Sequence, residues 1–329
     1  MSARVLVSGA NGFVGSAVVR VLLRHGYAVR ALARPASDTA SLDGLEIEIA
    51  RGDLRDPPSL ERALQGCEGL FHVAADYRLW ARHPHEIYRS NVRGTHNILQ
   101  AARRCGIERI VHTSSVATLG LRADGTPADE DTPARLADMI GAYKRSKYLS
   151  EVLARRCAHL GSDIVIVNPA APVGPRDRKP TPTGRTILDA ARGRMPAYVD
   201  TGLCVVHVDD VAEGHVLAYE RGQRGRRYVL GGDNLSLREI LQTVAELAGR
   251  HGPWFKLPHA AILPVAHVAE AWARATGKTP TISVDGVKLA RHHMYFSSQR
   301  AEAELGYRAR PAREALADAI QWFRDNGRL

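Results

Sequence analysis

The chain alternates short apolar runs with stretches in which apolar residues recur at helical spacing, up to about residue 170. Several runs have the length and composition of buried strands: Val5-Leu6-Val7, Ala28 to Ala33, Ile47-Glu48-Ile49, Gly69 to Val73, Arg109 to Thr113 and Asp163 to Val167. Helical faces lie between them, formed by Val14, Val18, Val21 and Leu22 and by Leu60, Ala63 and Leu64. This alternation predicts an α/β fold with a doubly wound parallel sheet of Rossmann type.

The alternation loosens after residue 170, where a stretch rich in Pro and Gly runs from Pro169 to Gly184. We therefore predict a dinucleotide-binding domain over residues 1–170 and a smaller, mainly substrate-binding region over residues 171–329. The apolar runs Cys204 to Val208 and Arg227 to Leu230 are expected to return to the main sheet. The predicted boundary between the two regions is therefore interleaved.

Composition narrows the class of protein. With 45% hydrophobic and 24% charged residues, the 329-residue chain has the composition of a folded enzyme. The formal net charge is +10, but the basic residues are scattered and accompany no basic helix or aromatic ladder. No nucleic-acid partner is predicted. The four Cys, at positions 67, 105, 157 and 204, lack metal-ligand spacing, so no metal site is predicted.

Two features concern the location of the protein. The first residues run directly into a strand-like segment and lack the order of a signal peptide, so a cytoplasmic location is expected. The longest apolar stretch, Ala260 to Trp272, is interrupted by Pro264, His267 and Glu270 and is shorter than the ~18 residues of a membrane span. It predicts an amphipathic packing helix, or alternatively a helix lining a pocket for an apolar substrate.

A glycine-rich loop follows the first predicted strand and opens the first predicted helix. Glycines in such a loop permit a tight turn and bring backbone N–H groups close to a pyrophosphate at the helix N-terminus. The G-x-x-G-x-x-G spacing therefore predicts dinucleotide binding by Gly9, Asn11, Gly12, Phe13, Val14 and Gly15.

The ends of later strands suggest which dinucleotide is bound. An acidic residue after the second strand would hold the ribose 2′-hydroxyl of NAD, but the strand ends in Ala33-Arg34. A guanidinium suits a 2′-phosphate, so NADP(H) is favoured and NAD(H) is the alternative. Asp53 and Leu54 follow the third strand, where the carboxylate would contact adenine or merely close a turn. Ala74 and Ala75 are small enough to let a ring lie against the backbone.

The sequence Tyr143-Lys144-Arg145-Ser146-Lys147 places Tyr143 and Lys147 on one helix face, and Ser115 ends the fifth predicted strand. A Tyr of ordinary pKa ~10 must shift by about three units, about 4 kcal/mol, to exchange protons near neutrality. An ammonium about 5 Å away supplies roughly 3 kcal/mol. The spacing therefore predicts Ser115, Tyr143 and Lys147 as catalytic residues, with Lys147 lowering the pKa of Tyr143.

With these motifs the sequence resembles the extended short-chain dehydrogenase/reductases, which include nucleotide-sugar epimerases and dihydroflavonol reductases. The resemblance covers nearly the whole chain and rests on the glycine loop, Asp53-Leu54, Ala74-Ala75, Asn91 to Thr95, Thr113 to Ser115, Tyr143/Lys147 and Val208 to Ala212. It implies that Ser115 holds the substrate oxygen, Tyr143 is the acid/base, and Lys147 also contacts the ribose. It also implies a cofactor-site role for Asn91 and a possible homodimer.

The sequence is most similar to the hopanoid-associated sugar epimerase family within this group, through Ala74 to Trp80 and Asn168 to Asp177. That resemblance implies a small-molecule or lipid-linked sugar or polyol substrate, and peripheral membrane contact if the substrate is a hopanoid. Candidate substrate contacts are Tyr77, Trp80, Ser114 and Asn168.

Three functions are consistent with these residues. The absence of an acid at Ala33 favours a reductase that transfers hydride at a carbonyl or carbinol of a sugar-like or polyol side chain. An NAD-dependent epimerase with a transient keto intermediate would use the same Ser, Tyr and Lys. A dinucleotide-binding sensor or scaffold without catalysis is the third alternative.

Overall fold

Seven parallel strands form the main sheet of the protein, whose computed structural model describes residues 3–329. The strands in chain order are β1 (Arg4–Ser8), β2 (Ala28–Ala33), β3 (Glu48–Arg51), β4 (Gly69–His72), β5 (Arg109–Thr113), β6 (Ile164–Pro169), β7 (Ala171–Val173), β8 (Ala197–Val199), β9 (Gly202–His207), β10 (Arg227–Leu230), β11 (Asp233–Ser236), β12 (Phe255–Leu257) and β13 (His293–Met294). The main sheet has the order β10-β6-β5-β4-β1-β2-β3. This order reverses direction at β1, where ligands bind in doubly wound folds.

Helices cover both faces of the main sheet. The helices in chain order are α1 (Phe13–Arg24), α2 (Pro57–Leu64), α3 (His85–Tyr88), α4 (Gly94–Arg104), α5 (Gly141–His159), α6 (Pro182–Ala191), α7 (Val208–Arg221), α8 (Leu237–Ala248), α9 (His259–Thr276), α10 (Val284–Leu289), α11 (Gln299–Leu305) and α12 (Ala312–Asp325), of which α1 and α7 lie on one face of the main sheet and α2, α4 and α5 on the other. Alternate strand residues supply two separate cores, as a sheet buried on both faces requires. Val5 and Val7 pack with residues of α1 and α7, whereas Leu6 packs with residues of α2, α4 and α5.

The predicted strands are confirmed with small changes at their ends. Ala28–Ala33 and Arg109–Thr113 are strands with the predicted bounds, and the third strand begins one residue later than predicted, at Glu48. The segment Arg227–Leu230 joins the main sheet beside β6, as expected.

The prediction for Cys204 to Val208 is wrong. Cys204 to His207 belong to β9, which pairs with β7, β11 and β13 in a second sheet and not with the main sheet, and Val208 begins α7. A fully buried apolar run has the same pattern in either sheet, because periodicity reports burial and not the identity of the neighbouring strand.

The later part of the chain has a core of its own. Val173 and Val205 of the second sheet pack with α6, α8 and α12, through residues such as Ile187, Ile240 and Phe323. Among the helices of residues 3–329, none combines the length and the apolar character needed to cross a bilayer.

Candidate active site

A cavity of about 1150 Å³ opens at the carboxyl ends of the main strands. Most of the predicted site residues line it: Gly9, Asn11, Gly12, Phe13, Val14, Gly15, Arg34, Asp53, Leu54, Ala74, Ala75, Tyr77, Ser114, Ser115, Tyr143 and Lys147. Three others, Trp80, Asn91 and Asn168, are not on its wall. The fold therefore brings residues from five separate strand ends and two helices, α1 and α5, to a single site.

The glycine loop has no room for side chains at two of its positions. Gly9 has a φ of +70°, and a Cβ there would lie 2.6 Å from the Cα of Ala74. A Cβ on Gly15 would lie 2.0 Å from the carbonyl oxygen of Gly9. Gly12 donates its N–H to the same carbonyl at 2.9 Å, and α1 begins at Phe13. The loop is a close-packed cradle at a helix N-terminus, which fits a dinucleotide pyrophosphate.

Two arginines, Arg34 and Arg55, line the cavity after the ends of β2 and β3. Arg34 is exposed and follows buried Ala33 at the end of β2. The Asp53 carboxylate accepts from the backbone N–H of Arg55 at 2.9 Å and pairs with its guanidinium at 2.6 Å. The side-chain hydrogen bond from Arg55 is the main cause that lowers the pKa of Asp53, and Arg34 contributes in the same direction. Asp53 thus closes a turn here, and its contact with adenine stays a prediction.

Ser115 lies just after β5, on the cavity wall. Its Oγ accepts from the backbone N–H of Ala117 at 3.1 Å, so the side chain caps the short helical turn that begins at Val116. Because the cap uses only an acceptor position, the Ser115 hydroxyl hydrogen is available to the Tyr143 oxygen or to a substrate oxygen.

Tyr143 reaches the cavity from the first turn of α5. Burial raises the pKa of Tyr143, and a hydrogen bond with Ser115 acts in the opposite direction. Desolvation disfavours the tyrosinate in the chain by itself. That Lys147 lowers the pKa of Tyr143 stays a prediction.

Lys147 lies one helical turn after Tyr143 and is buried. Its Nζ donates to the carbonyl oxygen of Thr113 at 2.7 Å, which fixes the ammonium beneath the catalytic wall. Burial lowers the pKa of Lys147 to about 8, while the nearby Glu151 carboxylate acts to raise it. The side chain is therefore largely charged at neutral pH.

Asn91 connects two parts of the site without lining the cavity. It sits in a π-helical turn at Arg89–Arg93 and is buried. Its Nδ2 donates to the Ser146 hydroxyl and to the Asp76 carbonyl, both at 2.9 Å, and its Oδ1 accepts from the Asp76 N–H at 2.7 Å. These bonds hold α5 against the loop after β4.

Asn168, a predicted substrate contact, is fully buried behind Ser115. Its Nδ2 donates to the carbonyl of Ser115 at 3.0 Å and to Oε2 of Glu151 at 2.8 Å. Ser114 donates to the same Glu151 oxygen at 2.5 Å, as does Thr118 at 2.7 Å. The side chains of Asn168 and Ser114 therefore both donate hydrogen bonds within the protein, in a network centred on the Glu151 carboxylate.

Sequence reasoning missed two residues of this region. Glu151 stands one turn after Lys147, so the extended spacing Y-x-x-x-K-x-x-x-E was a usable signal.

Lys144 lines the cavity at 9% exposure, and within residues 3–329 no hydrogen bond or ion pair is formed by its ammonium. Burial lowers the pKa of Lys144 to about 8. Its signal was a Lys directly after the catalytic Tyr, in a chain whose basic residues are mostly Arg.

The far wall of the cavity differs from the catalytic wall. It is built by the later part of the chain and is largely apolar, with side chains of Ile187, Leu203, Leu237, Ile240, Leu289 and Met294. Within residues 3–329, His, Cys, Asp and Glu side chains form no group of three or more that could hold a metal ion.

A glycine cradle at the switch point of a doubly wound sheet, with Ser115, Tyr143 and Lys147 beside it, defines a dinucleotide-dependent enzyme of the short-chain dehydrogenase/reductase type. The family model described as the NAD dependent epimerase/dehydratase family matches residues 5–231. The chain belongs to this family, and the resemblance to extended short-chain dehydrogenase/reductases is confirmed.

Known proteins resemble the chain over nearly its whole length. A putative dihydroflavonol 4-reductase from Synechocystis is 47% identical over 98% of this chain and 94% of that protein. Sterol demethylase protein B from Methylococcus capsulatus is 39% identical over 98% of this chain and 99% of that protein. The solved structure of a nucleoside-diphosphate-sugar epimerase from Pseudomonas aeruginosa has a TM-score of 0.83 and 27% identity, covering 100% of both chains.

Proposed function

We propose that the protein is an NADP(H)-dependent reductase that acts on a carbonyl or carbinol of an apolar molecule with a sugar-like or polyol end. The observation that carries this proposal is the exposed Arg34, which lines the same cavity as Ser115, Tyr143 and Lys147 and directly follows the small, buried Ala33. A guanidinium binds a 2′-phosphate by charge-assisted hydrogen bonds, and no carboxylate at position 33 repels it.

The residues of the chain divide the reaction between them. Ser115 donates a hydrogen bond to the substrate oxygen and holds it beside Tyr143. Tyr143 gives its hydroxyl proton to that oxygen while the carbon accepts hydride, which is the chemistry that a reduced nicotinamide supplies when bound. The charged Lys147 stabilises the tyrosinate that remains.

The far wall supports an apolar substrate body. Leu203, Ile240 and Leu289 offer no hydrogen-bonding side chains, so a hydrocarbon framework would bury surface there while its polar end meets Ser115. The relative named sterol demethylase protein B also points to a lipid-like substrate. A lipid-linked sugar or polyol, such as an intermediate of hopanoid synthesis, belongs to this substrate class.

The first experiment identifies the cofactor. The purified protein is denatured, any released dinucleotide is identified, and the emptied protein is titrated with NADPH and with NADH. We expect exchangeable binding that favours NADPH, and we expect Arg34→Ala to weaken NADPH by about 10- to 100-fold but NADH little. Arg24→Ala, at the other end of α1, is the matched control. Equal losses of affinity for NADPH and NADH would contradict the proposal that Arg34 binds the 2′-phosphate.

The second candidate is an NAD-dependent sugar epimerase. The structural likeness to a nucleoside-diphosphate-sugar epimerase favours it, since the same three catalytic residues suffice for removal and return of hydride. Tightly retained NAD in the first experiment would support this candidate and would make Arg34 an incidental surface residue.

A further inference from the structure

The helix α9 has two apolar faces, and only one of them is covered. The sequence predicts a packing helix in this region, and Ile262, Leu263 and Ala266 do pack against Val284 and Val287 of α10. The opposite face is exposed, which corrects the prediction of an ordinary packing helix.

The exposed side chains of α9 fall at helical spacing. Val265 is 56% exposed, Val268 70% and Trp272 68%, and the intervals of three and four residues place them on one face. Two further aromatic residues, Trp254 and Phe255, are exposed at the start of β12, just before this helix. The large apolar side chains on this face of α9 mark an interaction surface.

The charges around this face are mainly positive, although Asp200, just before β9, pairs with Lys256 at 2.6 Å. Exposed cations in residues 250–282 are Arg250, Lys256, Arg274 and Lys278. Glu270 supplies the only carboxylate of that segment, with 12% of its side chain exposed. Its oxygens accept from the backbone N–H of Val284 at 2.7 Å and face Arg274 at 3.4 Å, so little negative charge reaches the surface.

We propose that this face of α9 docks on a membrane surface that contains anionic lipid. A helix with exposed Val and Trp on one face and cations around it lies in the plane of a bilayer interface, where Trp is favoured and cations meet anionic headgroups. A neutral protein partner would account for the apolar residues but not for the excess of positive charge.

Docking in this position would bring the cavity close to the bilayer. Helix α10 packs on α9 through Val284 and Val287, while its residues Gly286, Leu289 and Ala290 line the cavity. Docking of this face does not require the proposed reaction. Its test therefore needs no substrate, and its result is independent of the proposed function.

The experiment is co-sedimentation of the full-length protein with phosphatidylcholine vesicles, with or without phosphatidylglycerol. We expect the wild type to sediment with the anionic vesicles and much less with phosphatidylcholine alone. A Val268→Asp/Trp272→Asp variant should bind the anionic vesicles at least about tenfold more weakly. Its unchanged NADPH affinity would show that it is folded.

The matched control is Leu160→Asp, which places a carboxylate on a 74% exposed apolar residue at the end of α5. This variant should sediment like the wild type. Equal binding by both variants, or no sedimentation of the wild type, would overturn the proposal. So would a lipid-free dimer that Val268→Asp/Trp272→Asp dissociates in sedimentation velocity, because that result would assign the face to a second copy of the chain.

Discussion

The two walls of the cavity are built in opposite ways. Around Ser115 the wall is polar and held by buried hydrogen bonds to Glu151, Asn168 and the backbone. The wall formed by the later part of the chain presents apolar side chains such as Leu203 and Leu289. Buried hydrogen bonds hold each polar side chain in one rotamer. Apolar contact is non-directional, so the apolar wall tolerates substrates of different shapes.

This difference suggests separate roles for the two walls: we expect the polar wall to carry out the reaction and the apolar wall to bind the substrate. The proposed proton transfer requires Tyr143 and Ser115 in one arrangement, so changes to the polar wall are expected to lower both the rate and the stability. The apolar wall contributes equally to the binding of substrate and transition state, so its alteration is expected to affect KM. The following predictions test this separation.

Replacement of Tyr143 by Phe should lower the turnover of a carbonyl substrate by about 10³-fold, because it removes only the proton donor. NADPH affinity should stay near the wild-type value in a fluorescence titration. Tyr148→Phe is the matched control, since the Tyr148 hydroxyl donates to the carbonyl of Ala134 at 3.2 Å and not to the cavity. A Tyr143→Phe rate above about a tenth of wild type would contradict the assigned role, and undiminished function would favour the sensor alternative.

Replacement of Glu151 by Ala should lower the free energy of unfolding by about 3 kcal/mol, measured by urea denaturation. The change leaves Arg227 without its ion pair and the buried Ser114 hydroxyl without its acceptor, and it removes one hydrogen bond each from Thr118 and Asn168. Glu61→Ala removes an exposed ion pair with Arg104 and should cost under about 1 kcal/mol. Equal losses in the two variants would show that the network does not stabilise the catalytic wall.

The catalytic side should also be sensitive to acid through His72. Its ring nitrogens lie 2.8 Å from the Ser8 hydroxyl and 2.9 Å from that of Thr95. Burial, with the charge of Lys147, lowers the pKa of His72 to about 3. In the unfolded chain the His72 imidazole takes up a proton as the pH falls below about 6.5, whereas in the folded chain it stays neutral until the pH approaches 3. Stability that is present above pH 6.5 is therefore lost as the pH falls toward 3.

Between pH 7 and pH 5, this one group should cost about 2 kcal/mol of unfolding free energy. Urea denaturation of His72→Gln at both pH values should show a correspondingly smaller acid effect. The control is His83→Gln, at an exposed histidine, which should reproduce the wild-type difference. An unchanged acid effect in His72→Gln would mean that His72 does not contribute.

The smallest expected effect is on the apolar wall. Leu289→Ala should raise KM for an apolar carbonyl substrate by about tenfold and leave kcat nearly unchanged, since it removes uniform binding. Steady-state kinetics with NADPH oxidation as readout would measure both constants, with Leu160→Ala as the control outside the cavity. A fall in kcat that matches the fall in kcat/KM would place Leu289 among the residues that act on the transition state.

Much of the catalytic side was predictable from local sequence. The glycine loop, the strand end at Ser115 and the spacing of Tyr143 and Lys147 each depend on a single strand, turn or helix. Local spacing dictates which of these side chains share a face. The fold class was predictable for the same reason, because the alternation of strands and helices sets the architecture.

The tertiary structure alone decided the rest. Cys204 to His207 belong to the second sheet, Asn168 donates to the buried Glu151, and Lys144 is buried on the cavity wall. Each of these facts depends on contacts between residues distant in the chain, which hydrophobic periodicity does not encode. The sequence by itself determined the fold class and the spacing of the predicted catalytic residues, whereas long-range packing decided which neighbours those residues meet and which apolar face of α9 stays exposed.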